Sequence, residues 1–407
     1  EDIDIEDPSI YDFLARTRLY YGLFQIETGL AGDATFKAKP RGIRQLSACI
    51  SIARPGAMAE IPKLVDYYAT GNLKRIHPQF DEILKDTANV IIYQESINDI
   101  CQQVYAMNAI DAEEVARAIR KKKRADIVKW EAVIFAAGEK LGIPQAVTNQ
   151  FWATCNKSAD YLFSVNHGLP YSVLAAETTY LKSTYMKEFY LATLKFAHKT
   201  EMSDIICEAR KLGVNVLPPH LIKSQQDSAS EGNDIRFGLQ HIKGIAGANL
   251  LKVDSFRREF TNKFDIFDFA KELGIPVNVL ETLVLCGALD WPSTPRVKLA
   301  MEARAYGLLR DTKSLHGIVS KLAKDFNYDL MDTLRALKDR KDEKGKPLLK
   351  ESVLATFRKK LAPHWDAYQN NMRHEAFALY IAERNLLGFS YSNTLFNLFA
   401  AKVEGLV

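Results

Sequence analysis

The segment Asp111-Ala112-Glu113-Glu114-Val115-Ala116-Arg117-Ala118-Ile119-Arg120-Lys121-Lys122-Lys123-Arg124 joins a run of good helix formers to a dense block of positive charge. Asp111 is an N-cap candidate, and the pattern after it predicts helix up to the Gly142-Ile143-Pro144 stop. On such a helix Arg117, Lys121 and Arg124 share one face. Two readings of this cationic stripe fit. It is either a contact for a polyphosphate or nucleic acid, or a solvated helix end whose cations complement the negative C-terminal dipole. Either way the decisive element is helical, and the rest of the chain follows the same pattern.

The chain has 407 residues, of which 47% are hydrophobic, and a net charge of +4. That length supports two or three cores. Because the total charge is nearly balanced, an anion-binding surface must come from local clustering. The sequence from Glu1 to Asp7 is acidic, whereas residues 117 to 124 are basic. Cys49, Cys101, Cys155, Cys207 and Cys286 form no CxxC pair and read as reduced core thiols of an intracellular protein. No apolar run has the length of a membrane span and no signal pattern opens the chain, so a cytoplasmic location without membrane contact is expected. A first residue of Glu points to a segment or processed part of something longer.

Along the chain, Tyr21 to Thr28 is aromatic and alternating, which suits a strand or buried turn. A helix over Ile43 to Ile52 stops at Ala53-Arg54-Pro55-Gly56, which places Arg54 at a fixed exit. Val90 to Tyr93 favours β structure, and Gln94 to Met107 favours helix. Residues 145 to 164 and 170 to 197 read as helices separated by a break at Asn166-His167-Gly168-Leu169-Pro170. On the second helix Tyr171 lies four residues beyond His167, on the same face. Gln225 to Asp234 reads as loop, Ile235 to Leu239 as strand, and Ile242-Lys243-Gly244-Ile245-Ala246-Gly247 as a turn opening a helix. Residues 276 to 309 are helical, and 313 to 375 form a charged helical region with a turn at Asp342 to Pro347. The fold class is therefore mainly α with minor β.

Several chemistries lack their residues. The eight histidines show no HExxH, and neither a GxSxG elbow nor a phosphate-binding GxxxxGK[ST] loop occurs. Asp2, Asp4 and Asp7 could mimic a carboxylate metal site, although an acidic run at a chain end is more often solvated. Gly244 to Gly247 fits a hairpin whose amides meet a phosphate, and equally an ordinary glycine turn.

Read in order, these pieces resemble the fingers region of the C-family bacterial replicative DNA polymerases, the polymerase III alpha subunits. Glu6-Asp7-Pro8 and Gly22-Leu23-Phe24-Gln25-Ile26-Glu27-Thr28 are similar to the family's DDP and GxFQxES. Ala53-Arg54-Pro55-Gly56 is similar to RPGP, Val90 to Glu95 to GIIxYQEQ, and Arg117 to Lys123 to RRAMGKKK. Asn166-His167 with Tyr171, Tyr180-Leu181-Lys182, Val216 to Pro219, Ile235 to Leu239, Ile242-Lys243-Gly244, Gly287 to Asp290 and Glu383 to Gly388 continue in the family's order.

The resemblance implies a multi-helix fingers domain followed by a helix-hairpin-helix-like segment. It implies a connection from the palm over 1–35, fingers over 36–225 and a fingers tail over 226–312. Residues 313–375 match none of these motifs and read as a helical insertion, and 376–407 lead toward an OB-type domain. It implies a DNA-directed DNA polymerase whose palm aspartates hold Mg²⁺ outside these residues, so the segment alone is expected to be inactive. Its partners would be primer–template DNA, an incoming dNTP, and a palm- and PHP-bearing portion in the same polypeptide or a separate subunit.

By resemblance Arg54, Arg117, Arg120, Lys121, Asn166, His167 and Tyr171 would face the nucleotide, with His167 at the sugar. Lys122, Lys123, Arg124, Lys182, Lys243 and Gly244 would face DNA. The sequence departs from the pattern at Ala116, which replaces an arginine, at Arg120, which replaces a glycine, and at Ala57 and Val165. Ala246 and Gly247 weaken the hairpin motif. Such divergence suggests a phage or distant member. The alternatives are a non-catalytic nucleic-acid-binding module and a replication adaptor that kept the fold.

Overall fold

The computed structural model describes residues 3–403 apart from 28, 55, 56, 160, 161, 199, 311, 312, 338, 339 and 349. The chain divides into two compact units, Glu1–Met186 and Lys187–Val407. The first contains α1 (Pro8–Arg16), α2 (Gly29–Ala38), α3 (Ile43–Ile52), α4 (Ile61–Thr70), α5 (Pro78–Ile83), α6 (Gln94–Gln103), α7 (Ala109–Arg120), α8 (Arg124–Lys140), α9 (Gln145–Ser158) and α10 (Val165–Thr184). From α11 (Met186–Phe196) the chain continues through α12 (Met202–Lys211), β1 (Val216–Leu217), β2 (Ala229–Glu231), β3 (Asp234–Arg236), α13 (Ala248–Ser255), α14 (Lys263–Glu272), α15 (Val277–Leu285) and α16 (Arg296–Arg310). It ends with α17 (Lys313–Leu322), α18 (Leu330–Leu337), α19 (Glu351–Arg373), α20 (Glu375–Leu387) and α21 (Leu395–Val403). The fold is mainly α with minor β.

Helix α7 begins earlier than its sequence suggests. The Asn108 side chain accepts a hydrogen bond from the Asp111 amide at 2.9 Å and donates to the Asp111 carboxylate at 2.8 Å. Asn108 is therefore the N-cap, and Asp111 sits in the first turn, where a carboxylate suits the dipole. Ala112, Val115, Ala116 and Ile119 form the apolar stripe of this helix. They pack into a core with Phe80, Ile97, Trp130, Ile134, Phe151 and Trp152. A second core gathers Ala48, Cys49 and Ile52 of α3 with Leu64, Tyr68, Ile92 and Tyr93. Burial pushes the thiols of Cys49, Cys101 and Cys286 up to about 12, as expected of core cysteines, whereas Cys207 is exposed on α12 and is no core thiol.

Several expectations are corrected. Residues 21 to 27 form turns and no strand, because Gly22 and Gln25 take left-handed backbone with φ of 74° and 62°. Thr28 lies outside the described residues, as do Pro55 and Gly56 at the exit of α3. Helix α9 stops at Ser158, and Phe163 is extended. The break expected at residues 166–170 is absent, since α10 starts at Val165 and runs through Pro170. Pro170 falls in the second turn, where losing one intrahelical amide does not end the helix. Of the acidic N-terminus, Asp7 caps α1 through the Ser9 amide at 2.8 Å, and Glu6 accepts from the Ile43 amide at 3.3 Å, opposite the start of α3. Asp2 lies outside the described residues.

The small sheet has the order β1-β3-β2, with β1 parallel and β2 antiparallel to β3. The stretch expected as loop thus contains β2, which turns into β3 at Gly232, φ 62°. Arg236 fastens the hairpin by donating twice to Glu231, at 2.7 Å each.

Candidate nucleic-acid interface

The basic block is a corner between two helices. Helix α7 ends at Arg120, Lys121 caps it, and α8 begins at Arg124. Lys122 takes φ 50°, its amide donates to the Ile119 carbonyl, and the Lys123 amide donates to the Ala118 carbonyl. This is the Schellman pattern of hydrogen bonds, with lysine in the left-handed position that glycine favours. The expected stripe of Arg117, Lys121 and Arg124 on one helix is therefore corrected to a bend, and all of residues 120 to 124 are exposed. Lys123 and Arg124 also place cations at the positive end of the α8 dipole, an unfavourable arrangement that a bound anion would relieve.

Part of this charge is paired. Arg117 meets Glu114 at 3.0 Å and Lys123 meets Asp126 at 3.7 Å, both as exposed pairs that contribute little. Arg120, Lys121 and Arg124 form no ion pair among the described residues. Ala116, where the family carries an arginine, is buried in the core beneath the corner, so this backbone leaves no exposed site for a cation there.

The second group of expected residues lies along α10. His167 and Tyr171, four residues apart, touch with ring centroids at 4.1 Å. His167 also packs on Phe163 at 5.1 Å, Tyr171 on Phe24 at 5.3 Å, and the Arg54 guanidinium lies 3.9 Å over the Phe163 ring. Arg54, Phe163, His167, Tyr171 and Phe24 thus form one cationic and aromatic series, with Arg54, His167 and Phe24 exposed. Asn166 is exposed beside it in the first turn of α10.

Three elements hold this series. The Tyr93 hydroxyl lies 2.8 Å from that of Ser47 on α3, while the Phe163 amide donates to Ile92 and the Gln94 amide to Phe163, both at 2.9 Å. Glu95 then caps α10, accepting from the Ser164 hydroxyl at 2.6 Å and the Val165 amide at 3.0 Å. Gly168 permits the approach of α3, because a Cβ there would meet the Ser51 hydroxyl at 2.7 Å.

The two groups lie at one end of the α6–α7 hairpin. Asn98 donates to Glu113 at 2.9 Å, which pairs the helices antiparallel and sets Gln94 level with Arg117. The α7 corner therefore returns to the start of α6, where Glu95 holds α10. Phe163, Phe24 and Glu95 were not singled out in the sequence as site residues. Phe24 and Glu95 lay inside quoted motifs, and nothing in local spacing marks Phe163.

Lys182 does not face DNA. It is fully buried, and its ammonium donates to the Tyr21 carbonyl at 2.6 Å, which secures the turn that presents Phe24. In the second unit Lys243 and Gly244 are exposed at the tip of the turn before α13, with Gly244 at φ 92° and Gly247 at φ 53°. The amides of Gly244, Ala246 and Gly247 have no hydrogen-bond partner among the described residues. No group of three or more His, Cys, Asp or Glu among the described residues could hold a metal ion. No described helix is long and apolar enough to cross a membrane.

A partly unpaired cationic corner and an aromatic series in the first unit, and a glycine hairpin with open amides in the second, are features suited to a nucleic-acid-handling protein of the polymerase fingers class. Residues 1–142 match the bacterial DNA polymerase III alpha subunit finger domain, and residues 213–299 match the helix-hairpin-helix motif. The chain is 32% identical over 317 residues to the DNA polymerase III subunit alpha of Saccharopolyspora erythraea, covering 74% of this chain and 26% of the relative. It is 32% identical over 308 residues to that of Mycobacterium tuberculosis, covering 71% and 25%, and 29% identical over 304 residues to that of Deinococcus radiodurans, covering 71% and 22%. Residues 1–142 thus carry a fingers domain like that of the bacterial DNA polymerase III alpha subunits, and a segment with a helix-hairpin-helix motif follows it. The chain spans about a quarter of the length of these curated relatives.

Proposed function

We propose that this chain is the nucleotide- and DNA-gripping part of a DNA-directed DNA polymerase. In this reading Arg120 and Lys121, with Arg117, receive the triphosphate of an incoming dNTP. Lys122, Lys123 and Arg124 meet template phosphates. Arg54, Asn166, His167 and Tyr171 receive sugar and base. The observation that carries the reading is the α6–α7 hairpin, which sets three unpaired cations and the ring series at one end. A dNTP needs both, because charge-assisted hydrogen bonds offset phosphate charge and rings pack on base and sugar. The open amides at Gly244 and Gly247 suit a backbone phosphate of the duplex, with Lys243 adding charge.

By resemblance the Mg²⁺-holding aspartates belong to a palm for which no position here matches, so the transfer of the nucleotidyl group falls to residues beyond this set. The chain by itself is therefore expected to bind DNA without extending a primer, and mixing it with a palm-bearing portion should restore extension.

Fluorescence anisotropy of a labelled primer–template, titrated with the chain at several salt concentrations, tests the contact. Neutralising phosphates releases counterions, so changing Lys122, Lys123 and Arg124 together to alanine should shrink the log–log salt slope by roughly 3. An unchanged slope would refute the assignment. At the sugar, His167→Ala in the reconstituted polymerase should raise ribonucleotide incorporation relative to dNTP, and equal discrimination would remove His167 from that role.

A further inference from the structure

We infer that the groove between α18 and α19 docks an acidic amphipathic helix from a partner protein. This goes beyond the nucleotide and DNA contacts above and rests on different residues. Both helices pack on α16 rather than on each other, which leaves a cavity of about 480 Å³ between them. Its floor is aliphatic and aromatic, with Met331 and Leu334 from α18 facing Leu354, Phe357, Leu361 and Trp365 from α19. The α19 residues recur every three or four positions, as an apolar stripe does, and Leu334 of α18 and Trp365 of α19 remain half-buried.

Charge selects the occupant. Arg335 and Arg358 stand at the rim, each held by one exposed acidic neighbour, Asp332 at 2.8 Å and Glu351 at 3.4 Å. Such exposed pairs are weak and exchange readily for a better partner. Among the described residues lining the groove, Asp366 is the one that is acidic. Beyond the rim, residues 340 to 360 carry eight Lys or Arg against three Asp or Glu, a local excess of five over a chain whose net charge is only +4. A tight turn closed by the Asp342 amide on the Lys346 carbonyl at 2.7 Å displays part of that excess.

An apolar trough bounded by two helices accepts the apolar face of a third, read by side chains at i, i+3, i+4 and i+7, while a basic rim favours acidic flanks. Single-stranded DNA would be drawn by the same charge. The floor, however, offers Met331 and leucines around two rings, of which Phe357 is buried, and no succession of exposed rings on which consecutive bases could stack.

The probe is a fluorescein-labelled, helix-favouring peptide with leucines at i, i+3, i+4 and i+7 and glutamates on its other face, titrated into the full chain. We expect a Kd of about 1–50 µM, weakened at least roughly tenfold when the glutamates become lysines. Leu334→Glu and Ala362→Glu should each weaken binding by a similar factor at an unchanged melting temperature. Ala362 is exposed, so the second variant tests the groove without disturbing the core. The proposal is overturned by absent binding at about 500 µM peptide, by equal binding of the lysine peptide, or by indifference to both variants. It is also overturned in favour of nucleic acid if a single-stranded oligonucleotide displaces the peptide and itself loses affinity in both variants.

Discussion

Single residues in this chain are constrained by what passes close to them. Gly238 has ordinary backbone torsions, yet a Cβ there would lie 2.3 Å from the Asp227 carbonyl carbon and 2.4 Å from the Ser228 nitrogen. Backbone cannot step aside as a flexible side chain can, so Gly238→Ala should cost about 3 kcal/mol of stability, read from urea unfolding. A cost below about 1 kcal/mol would show that the segment before β2 yields freely. Glu95 is a second such position, because its carboxylate satisfies the first free amide of α10 and complements the positive end of that dipole. Glu95→Gln keeps the shape and removes the charge, and we expect a loss of about 1 kcal/mol. The motif containing Tyr93, Gln94 and Glu95 was legible in the sequence, but its purpose was not, since its partners Phe163 and Ser164 stand some seventy positions away.

At the scale of elements, the α7–α8 corner decides how the basic block is displayed. A continuous helix would have spread these charges over its length, whereas the bend concentrates residues 120 to 124 at one exposed place. The bend is held although Lys122 occupies left-handed backbone, which costs a residue with a Cβ about 1 kcal/mol. Lys122→Gly should recover about that amount and raise the melting temperature, while leaving the corner in place. A drop in stability would mean that the lysine side chain contributes more than its backbone strain removes. The run of good helix formers identified α7 correctly, but its ends depend on hydrogen bonds to Asn108 and to the Schellman carbonyls, which propensity alone does not rank. The same limit applies to α10, where Asn166 to Pro170 carries the residues of a break and a carboxylate from α6 makes it a helix start.

At the scale of the whole molecule, the second unit contains a buried ionic cluster that ties α14, α16 and the start of α18 together. Lys263 lies 2.7 Å from Glu302, and Asp329 reaches Lys263 at 3.5 Å and Lys298 at 2.5 Å. Burial raises the Glu302 carboxyl to about 7, against the attraction of Lys263, while at Asp329 burial is outweighed by the hydrogen bonds from Lys298 and the Asp332 amide together with the charges of Lys263 and Lys298, which hold it at about 2. A carboxyl raised from 4.5 binds protons more tightly in the folded state, so its contribution falls as pH rises from 4.5 through 7. Asp329 acts in the opposite sense, and its stabilisation is lost only as pH falls through 3.8 toward 2. Stability should therefore decline from about pH 5 to pH 7, and Glu302→Gln should flatten that decline in urea midpoints. A decline of equal slope in the variant would place its origin elsewhere.

What the sequence determined by itself was the local and the cumulative: helical content from apolar spacing, the ordered motifs that mark a polymerase fingers region, and the cluster of cations. Tertiary structure alone decided where those residues point. Lys182 carries the same charge as Lys121, yet one is buried on the Tyr21 carbonyl and the other stands in solvent. Likewise Phe163, with no local signal, became the ring under Arg54 through a backbone bridge to Tyr93. Exposure and pairing depend on segments distant in sequence meeting in space, and a pattern read within a few turns of helix carries no information about that meeting.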